Sequence, residues 1–172
     1  MRLVKFIGLL SLFGITAQAG DLPIGGVPLS IGMEQHAAMK ALNARFHVFP
    51  AKGNTNVFFL SDAEPPNLSV IGNVSFKDGR LDWIQREWGH FSGTSNPVEV
   101  SKALFSAIES AKAASGESAV VSTSVKRIPG AEFKTVYFSF PGRRVSLGII
   151  DGDAKSKYGQ QVNINESVSS KY

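Results

Sequence analysis

The sequence predicts an α+β fold, with two helices packed on one face of a mainly antiparallel sheet. Three observations carry this expectation. Two segments place apolar residues at helical spacing, a series of short runs has β-like composition, and turn dipeptides such as Asp78-Gly79 sit between those runs. The chain has 172 residues and is 43% hydrophobic and 19% charged, the chemistry of an ordinary globular domain rather than a disordered chain.

Residues 1–19 read as a secretory leader. Arg2 and Lys5 give a positive start, residues 6–15 are apolar and uncharged, and Ala17-Gln18-Ala19 offers the small residues a signal peptidase accepts. The apolar run is too short to span about 30 Å of hydrocarbon, and no second run of spanning length follows. The expectation is one domain over residues 20–172 with no transmembrane segment after leader removal, located in the periplasm or secreted.

Cysteine is absent, which excludes disulfides, thiolate metal sites and a catalytic thiol. A disulfide-free exported chain fits a bacterial periplasm better than a eukaryotic extracellular space. The net charge is +4, and about +2 remains once Arg2 and Lys5 leave with the leader. The basic residues are scattered apart from the pairs Lys126-Arg127 and Arg143-Arg144, so no clustered face for nucleic acid is expected.

Residues 20–29 are rich in Gly and Pro and predict an irregular lead-in. Met33, Ala37, Ala38, Ala41 and Leu42 then recur at helical spacing, which predicts a short helix over 33–44. Strands are expected at 46–49, 57–60, 68–76 and 81–88. Asp78-Gly79 joins the last two, since a type I′ turn needs positive φ at both central positions. Residues 89–95 read as a loop. Asn96-Pro97-Val98-Glu99 is a helix start, with Asn as cap and Pro at the first helical position. Val100, Leu104, Ala107, Ile108 and Ala111 form its apolar stripe, and Gly116 lies just past its end. Further strands are expected at 119–125, 133–140, 144–150 and 161–164, followed by a frayed tail from 167 to 172.

The two halves echo each other. Val74-Ser75-Phe76 and Phe138-Ser139-Phe140 each lead through a Gly-Arg turn into an apolar residue, which suggests two α-β-β-β units in tandem at 28–88 and 96–166. Gly32-Met33 before a helix, followed by an antiparallel meander with Phe76-Lys77-Asp78-Gly79-Arg80 in a hairpin, resembles the small outer-membrane-assembly lipoproteins. Two such units in tandem resemble the beta-lactamase inhibitory protein fold. The resemblance implies that fold and a tendency towards protein binding. The acylated cysteine of the first family and the disulfides of the second have no counterpart here.

Register then assigns faces. With Asp78-Gly79 as a two-residue turn, Phe76 lies near Leu81 and Val74 near Trp83, which puts these four on the apolar side. Asp82, Arg86 and Trp88 fall on the other side. The connection at Pro141-Gly142 puts Phe138 near Val145 and Val136 near Leu147, with Tyr137 and Arg144 opposite. The candidate binding residues are therefore Arg86, Trp88, Tyr137, Asp82 and Arg144, because Trp, Tyr and Arg combine large area with polar tips. The competing reading is that Trp88 closes the sheet edge or lies under a loop.

No catalytic or metal motif emerges. His36 has Lys40 at the i+4 position, and His36, His47 and His90 show no ligand spacing. Residues 89–93 do not match a nucleophile elbow, and Lys155 interrupts the calcium-loop pattern begun at Asp151. No cofactor is expected. The expected function is an exported, non-enzymatic binding module that uses an open sheet face, its partner another protein or an envelope component. Two alternatives remain open: a small periplasmic hydrolase with His90 and a carboxylate, and a soluble carrier of an apolar ligand held between sheet and helices. Cleavage after Ala19 is expected to leave a mature N-terminus reading Gly-Asp-Leu-Pro; mass analysis of exported protein that still carries Met1 would count against the leader.

Overall fold

The structure, a computed structural model, describes residues 20–93, 96–116, 118–153 and 159–171. The expected leader and most of the 151–159 loop lie outside the described residues. Helix α1 (Gln35–Asn43) precedes strands β1 (His47–Ala51), β2 (Asn54–Ser61), β3 (Val70–Lys77) and β4 (Arg80–Ser92). Helix α2 (Pro97–Ser115) precedes β5 (Val120–Ile128), β6 (Ala131–Phe140), β7 (Arg143–Gly152) and β8 (Gln160–Ser169). All eight strands join one sheet in the order β1-β2-β3-β4-β8-β7-β6-β5, and each neighbouring pair is antiparallel. The α+β class and the antiparallel sheet agree with the sequence reading.

Local chemistry explains where the elements begin and end. The Asn96 side chain accepts a hydrogen bond from the Val98 N–H at 3.0 Å, Pro97 opens α2, and Gly116 closes it at φ 92°. Asp78 and Gly79 both have positive φ, as a type I′ turn between β3 and β4 requires. The Gly- and Pro-rich lead-in contains no helix or strand, in keeping with the irregular segment expected. It is a folded loop, closed by backbone bonds between Leu22 and Leu29 and between Ile24 and Val27. Leu22, Ile24 and Leu29 from this loop are fully buried.

Among the described residues, the buried apolar side chains form two clusters. One gathers the lead-in, Ala38 and Leu42 of α1, and Leu60, Val74, Phe76, Leu81, Ile84 and Val168 of the sheet. The other gathers Ala107 and Ala111 of α2 with Phe140, Val145 and Ile164, flanked by Trp88, Phe91 and Leu104. The two alanines let α2 approach β8 closely, and larger neighbours at the helix margins fill the sides.

The β6–β7 hairpin has the expected register, with Phe138 opposite Val145 and Val136 opposite Leu147. The β3–β4 hairpin departs from expectation. Phe76 pairs with Leu81 as predicted, but the register then shifts, so that Ser75 pairs with Trp83 and Val74 with Ile84. Asp82 is the extra residue of this bulge, held by a 2.6 Å hydrogen bond from the Ser75 hydroxyl. A one-residue shift turns every later side chain to the opposite face. Ile84 is therefore buried in the first cluster, where Trp83 was expected.

Two further boundaries differ from the sequence reading. β4 continues to Ser92 through a second irregularity between Glu87 and Gly89, so residues 89–92 belong to a strand rather than a loop. At Gly89 a Cβ would meet the Phe91 ring at 2.4 Å, so any larger residue there requires that ring to shift. β8 extends to Ser169, and the residues expected to begin a frayed tail are instead central: Ser167 and Val168 are buried between β4 and β7. Ile84→Ala is expected to cost about 2–5 kcal/mol, the usual cost of a core cavity, and Trp83→Ala clearly less. Urea denaturation of the two variants checks the bulge, and equal or reversed costs would restore the unshifted register.

Candidate functional site

The structure separates the five candidate residues into two environments. Arg86 and Trp88 do not lie on an open surface. Both turn onto Glu166 of β8, whose side chain is 0% exposed. One carboxylate oxygen, Oε2, accepts from Arg86 Nη2 at 2.6 Å and from Trp88 Nε1 at 3.0 Å. The other, Oε1, accepts from Arg143 Nη1 at 2.7 Å and from the Ser110 hydroxyl of α2 at 3.3 Å. Arg143 is 3% exposed and also donates to the Asp21 carbonyl; Arg86 is 22% exposed and reaches the Pro23 carbonyl. The Arg86 guanidinium stacks over the Trp88 ring at 4.3 Å. The cause of this placement is the Asp82 bulge, which turned Arg86 to the side opposite that expected. The polar tips that made Arg86 and Trp88 attractive as binding residues are used inside the molecule.

Tyr137 and Arg144 remain together on a shallow concavity of about 350 Å³ across β4, β8, β7 and β6. The Arg144 guanidinium sits 5.2 Å from the centroid of the Tyr137 ring. Trp83 and Phe133 extend the aromatic surface, and Asn163, Asn165 and Gln85 supply amides between the rings. Gln85 Nε2 donates to Asn165 Oδ1 at 3.2 Å, which orients both amides. Asp82 is not among the residues that line the concavity; its carboxylate accepts from the Ser75 hydroxyl. Sequence reasoning missed Trp83, Gln85, Phe133, Asn163 and Asn165. The signal for the two asparagines was present: polar Asn163, Asn165 and Ser167 alternate with Ile164, Glu166 and Val168, a period of two along β8.

The remaining motifs do not assemble into a reaction centre among the described residues. His47 Nδ1 lies 3.0 Å from a Glu64 carboxylate oxygen, His36 is exposed on α1, and His90 is exposed on β4. No group of three or more His, Cys, Asp or Glu side chains converges as metal ligands among the described residues. Among the described residues, Glu87 is the group whose titration departs clearly: partial burial pushes its carboxyl above the ordinary value of 4.5, and the nearby His90 partly counters this. An apolar groove of about 490 Å³ runs between the start of α2 and the ends of β7 and β8, lined by Phe91, Pro97, Val100, Ile149 and Val162. No protein-family model, curated protein or solved structure matches the chain.

Two outcomes follow from these environments. Glu166→Gln keeps the shape but leaves Arg143 buried without a countercharge, and a loss of about 3–5 kcal/mol is expected in urea denaturation. A loss under about 1 kcal/mol would show that the cluster's charges are not compensating each other. Glu87 behaves in the opposite sense. Its folded carboxyl titrates above 4.5, so the protonated form is the better tolerated one. The stability linked to this group is fully present below that ordinary value and is lost as pH rises through the raised folded value. Glu87→Gln is therefore expected to raise stability at neutral pH more than at about pH 4, a difference that denaturation at the two pH values measures.

Proposed function

We propose that the protein is an exported, non-enzymatic binding module that carries both helices on one face of the sheet and offers the other face to a partner. The observation that carries this reading is the concavity holding Tyr137, Arg144 and Trp83. Aromatic rings and a guanidinium bury large area and tolerate partial wetting, and they do so here on paired strands, which lose little entropy when a partner docks. The alternation of side chains supports the two-faced arrangement. Ile164 and Val168, four residues apart on β8, belong to the two core clusters, while Asn163 and Asn165 between and beside them line the concavity.

Each helix is followed by four strands rather than the three of the expected α-β-β-β unit; two tandem units of this longer kind would meet where β4 lies beside β8, and the strand order is compatible with that reading. In element order such an arrangement is similar to the beta-lactamase inhibitory protein fold, and it favours another protein, or an envelope component, as the partner. The leader-like residues 1–19 support export. A second reading, a small hydrolase, draws on Glu87 and His90, a carboxyl with a raised titration point beside an imidazole. The groove at the start of α2 is what a carrier of an apolar ligand would use.

The test is affinity purification from an envelope extract, followed by titration calorimetry with the purified partner. Tyr137→Ala is expected to weaken binding by at least about 30-fold, roughly 2 kcal/mol, with the melting temperature unchanged. Val98→Ala on the outer side of α2 serves as the control and should bind normally. If the combined change of Trp83, Tyr137 and Arg144 to alanine leaves affinity intact, the open-face reading fails.

A further inference from the structure

We infer that β5 is a homodimerisation edge, pairing antiparallel with the β5 of a second copy so that two sheets become one. This site is distinct from the open concavity and does not rest on it.

The two edges of the sheet are treated differently. β1 has five residues, contains Pro50, and its register breaks between Pro50 and Ala51. A short strand with a proline and an irregularity is a guarded edge. β5 has nine residues and no proline or bulge, and its register with β6 is unbroken from Val120 to Ile128. Among the described residues it has a strand neighbour on one side only. Val120 is 72% exposed, and Val121 and Val125 are each 58% exposed. A long, flat, valine-bearing edge is a template for another strand.

Hairpin parity fixes which backbone groups point outwards. Ile128 and Ala131 flank the two-residue turn at Pro129-Gly130, so they form a hydrogen-bonded pair, and bonded pairs then recur at every second residue. The bonded residues of β5 are the even ones. The next hairpin agrees independently: Phe140 and Arg143 flank Pro141-Gly142, which commits the even residues of β6 to β7 and the odd ones to β5. Val121, Thr123, Val125 and Arg127 therefore direct their N–H and C=O groups away from the sheet.

The sequence of β5 complements itself in one register. A two-fold axis at Thr123 sets Thr123 against Thr123 and Val121 against Val125 of the second copy, twice over. All these residues have outward backbone groups, so each pair closes with hydrogen bonds, and the valines meet side by side on one face. The same register keeps like charges apart. Lys126 falls opposite Val120 and Arg127 opposite Ala119, whereas an axis moved to Lys126 would set cation against cation. Self-pairing thus uses both the apolar pattern and the charge pattern of this strand, which is why a second copy, rather than an unrelated peptide, is the occupant.

The cysteine-free chain makes the test direct. Residues 20–172 are studied by sedimentation from about 1 to 100 µM, together with single-cysteine variants under mild oxidation. Thr123→Cys is expected to give a covalent dimer readily, since opposed residues in such a pair lie about 5.5 Å apart at Cα, within disulfide range. Ser122→Cys, whose counterpart lies diagonally, should cross-link at least tenfold more slowly. Thr123→Pro removes only an outward N–H, and dimer dissociation should rise at least tenfold with the strand signal in circular dichroism retained. Val125→Lys provides a second disrupting variant that keeps the backbone donor. A monomer at every concentration overturns the proposal, as does a dimer that both Thr123→Pro and Val125→Lys leave intact. Equal cross-linking at positions 122 and 123 overturns the register on which it stands.

Discussion

The buried carboxylate of Glu166 is the constraint around which the rest of the structure is arranged. Taking one carboxylate and most of two guanidiniums out of water costs several kcal/mol per ion, and only close geometry with full donor coverage recovers it. Glu166 meets that condition with four donors, from Arg86, Trp88, Arg143 and Ser110. Those donors come from β4, β7 and α2, and the arginines carry the contact onwards to the Asp21 and Pro23 carbonyls of the lead-in. Displacing β4 or β7 takes one of the two guanidiniums from the carboxylate, and displacing α2 removes a neutral hydroxyl donor. Apolar contacts alone would tolerate small slips between β4 and β8, but a shared carboxylate does not.

This explains what could and could not be read from the sequence. Elements governed by local chemistry were legible: the Asn96-Pro97 start of α2, the Asp78-Gly79 turn, and the β6–β7 register. Features set by distant partners were not. Glu166 in a polar-looking C-terminal stretch gave no sign that its strand is central, because the arginines that make its burial tolerable lie far away in the chain. The Asp82 bulge was hidden for a related reason. Leu81, Trp83 and the alternation around them fit an unbroken hairpin, and only the competition between Trp83 and Ile84 for the core decides the shift. Gly and Pro marked the lead-in as irregular, but gave no sign that Leu22, Ile24 and Leu29 within it belong to the core.

The candidate site was half legible. Tyr137 and Arg144 lie together as alternation predicted, because their hairpin has no bulge. Arg86 and Trp88 were lost to the bulge next door. The amides of Asn163 and Asn165 followed a visible period of two, but that period acquires meaning only once β8 is known to lie between β4 and β7. An unbroken hairpin register favoured Trp88 over Trp83; the bulge reverses the placement, since one indole N–H is committed to Glu166 and the other ring lines the concavity.

The position of β8 has a consequence for how the chain reaches its structure. β8, the last of the described strands in chain order, lies in the middle of the sheet, bonded to β4 on one side and β7 on the other. Until it arrives, β4 and β7 are both open edges, and Arg86 and Arg143 have no carboxylate to share. The seam between Trp83 and Ser169 joins residues separated by half the chain, a high-contact-order event that pays its loop-closure entropy before any bonding rewards it. Completion of the sheet therefore waits on β8: before it docks the chain is divided into two incomplete meanders, and a version without β8 keeps that division permanently.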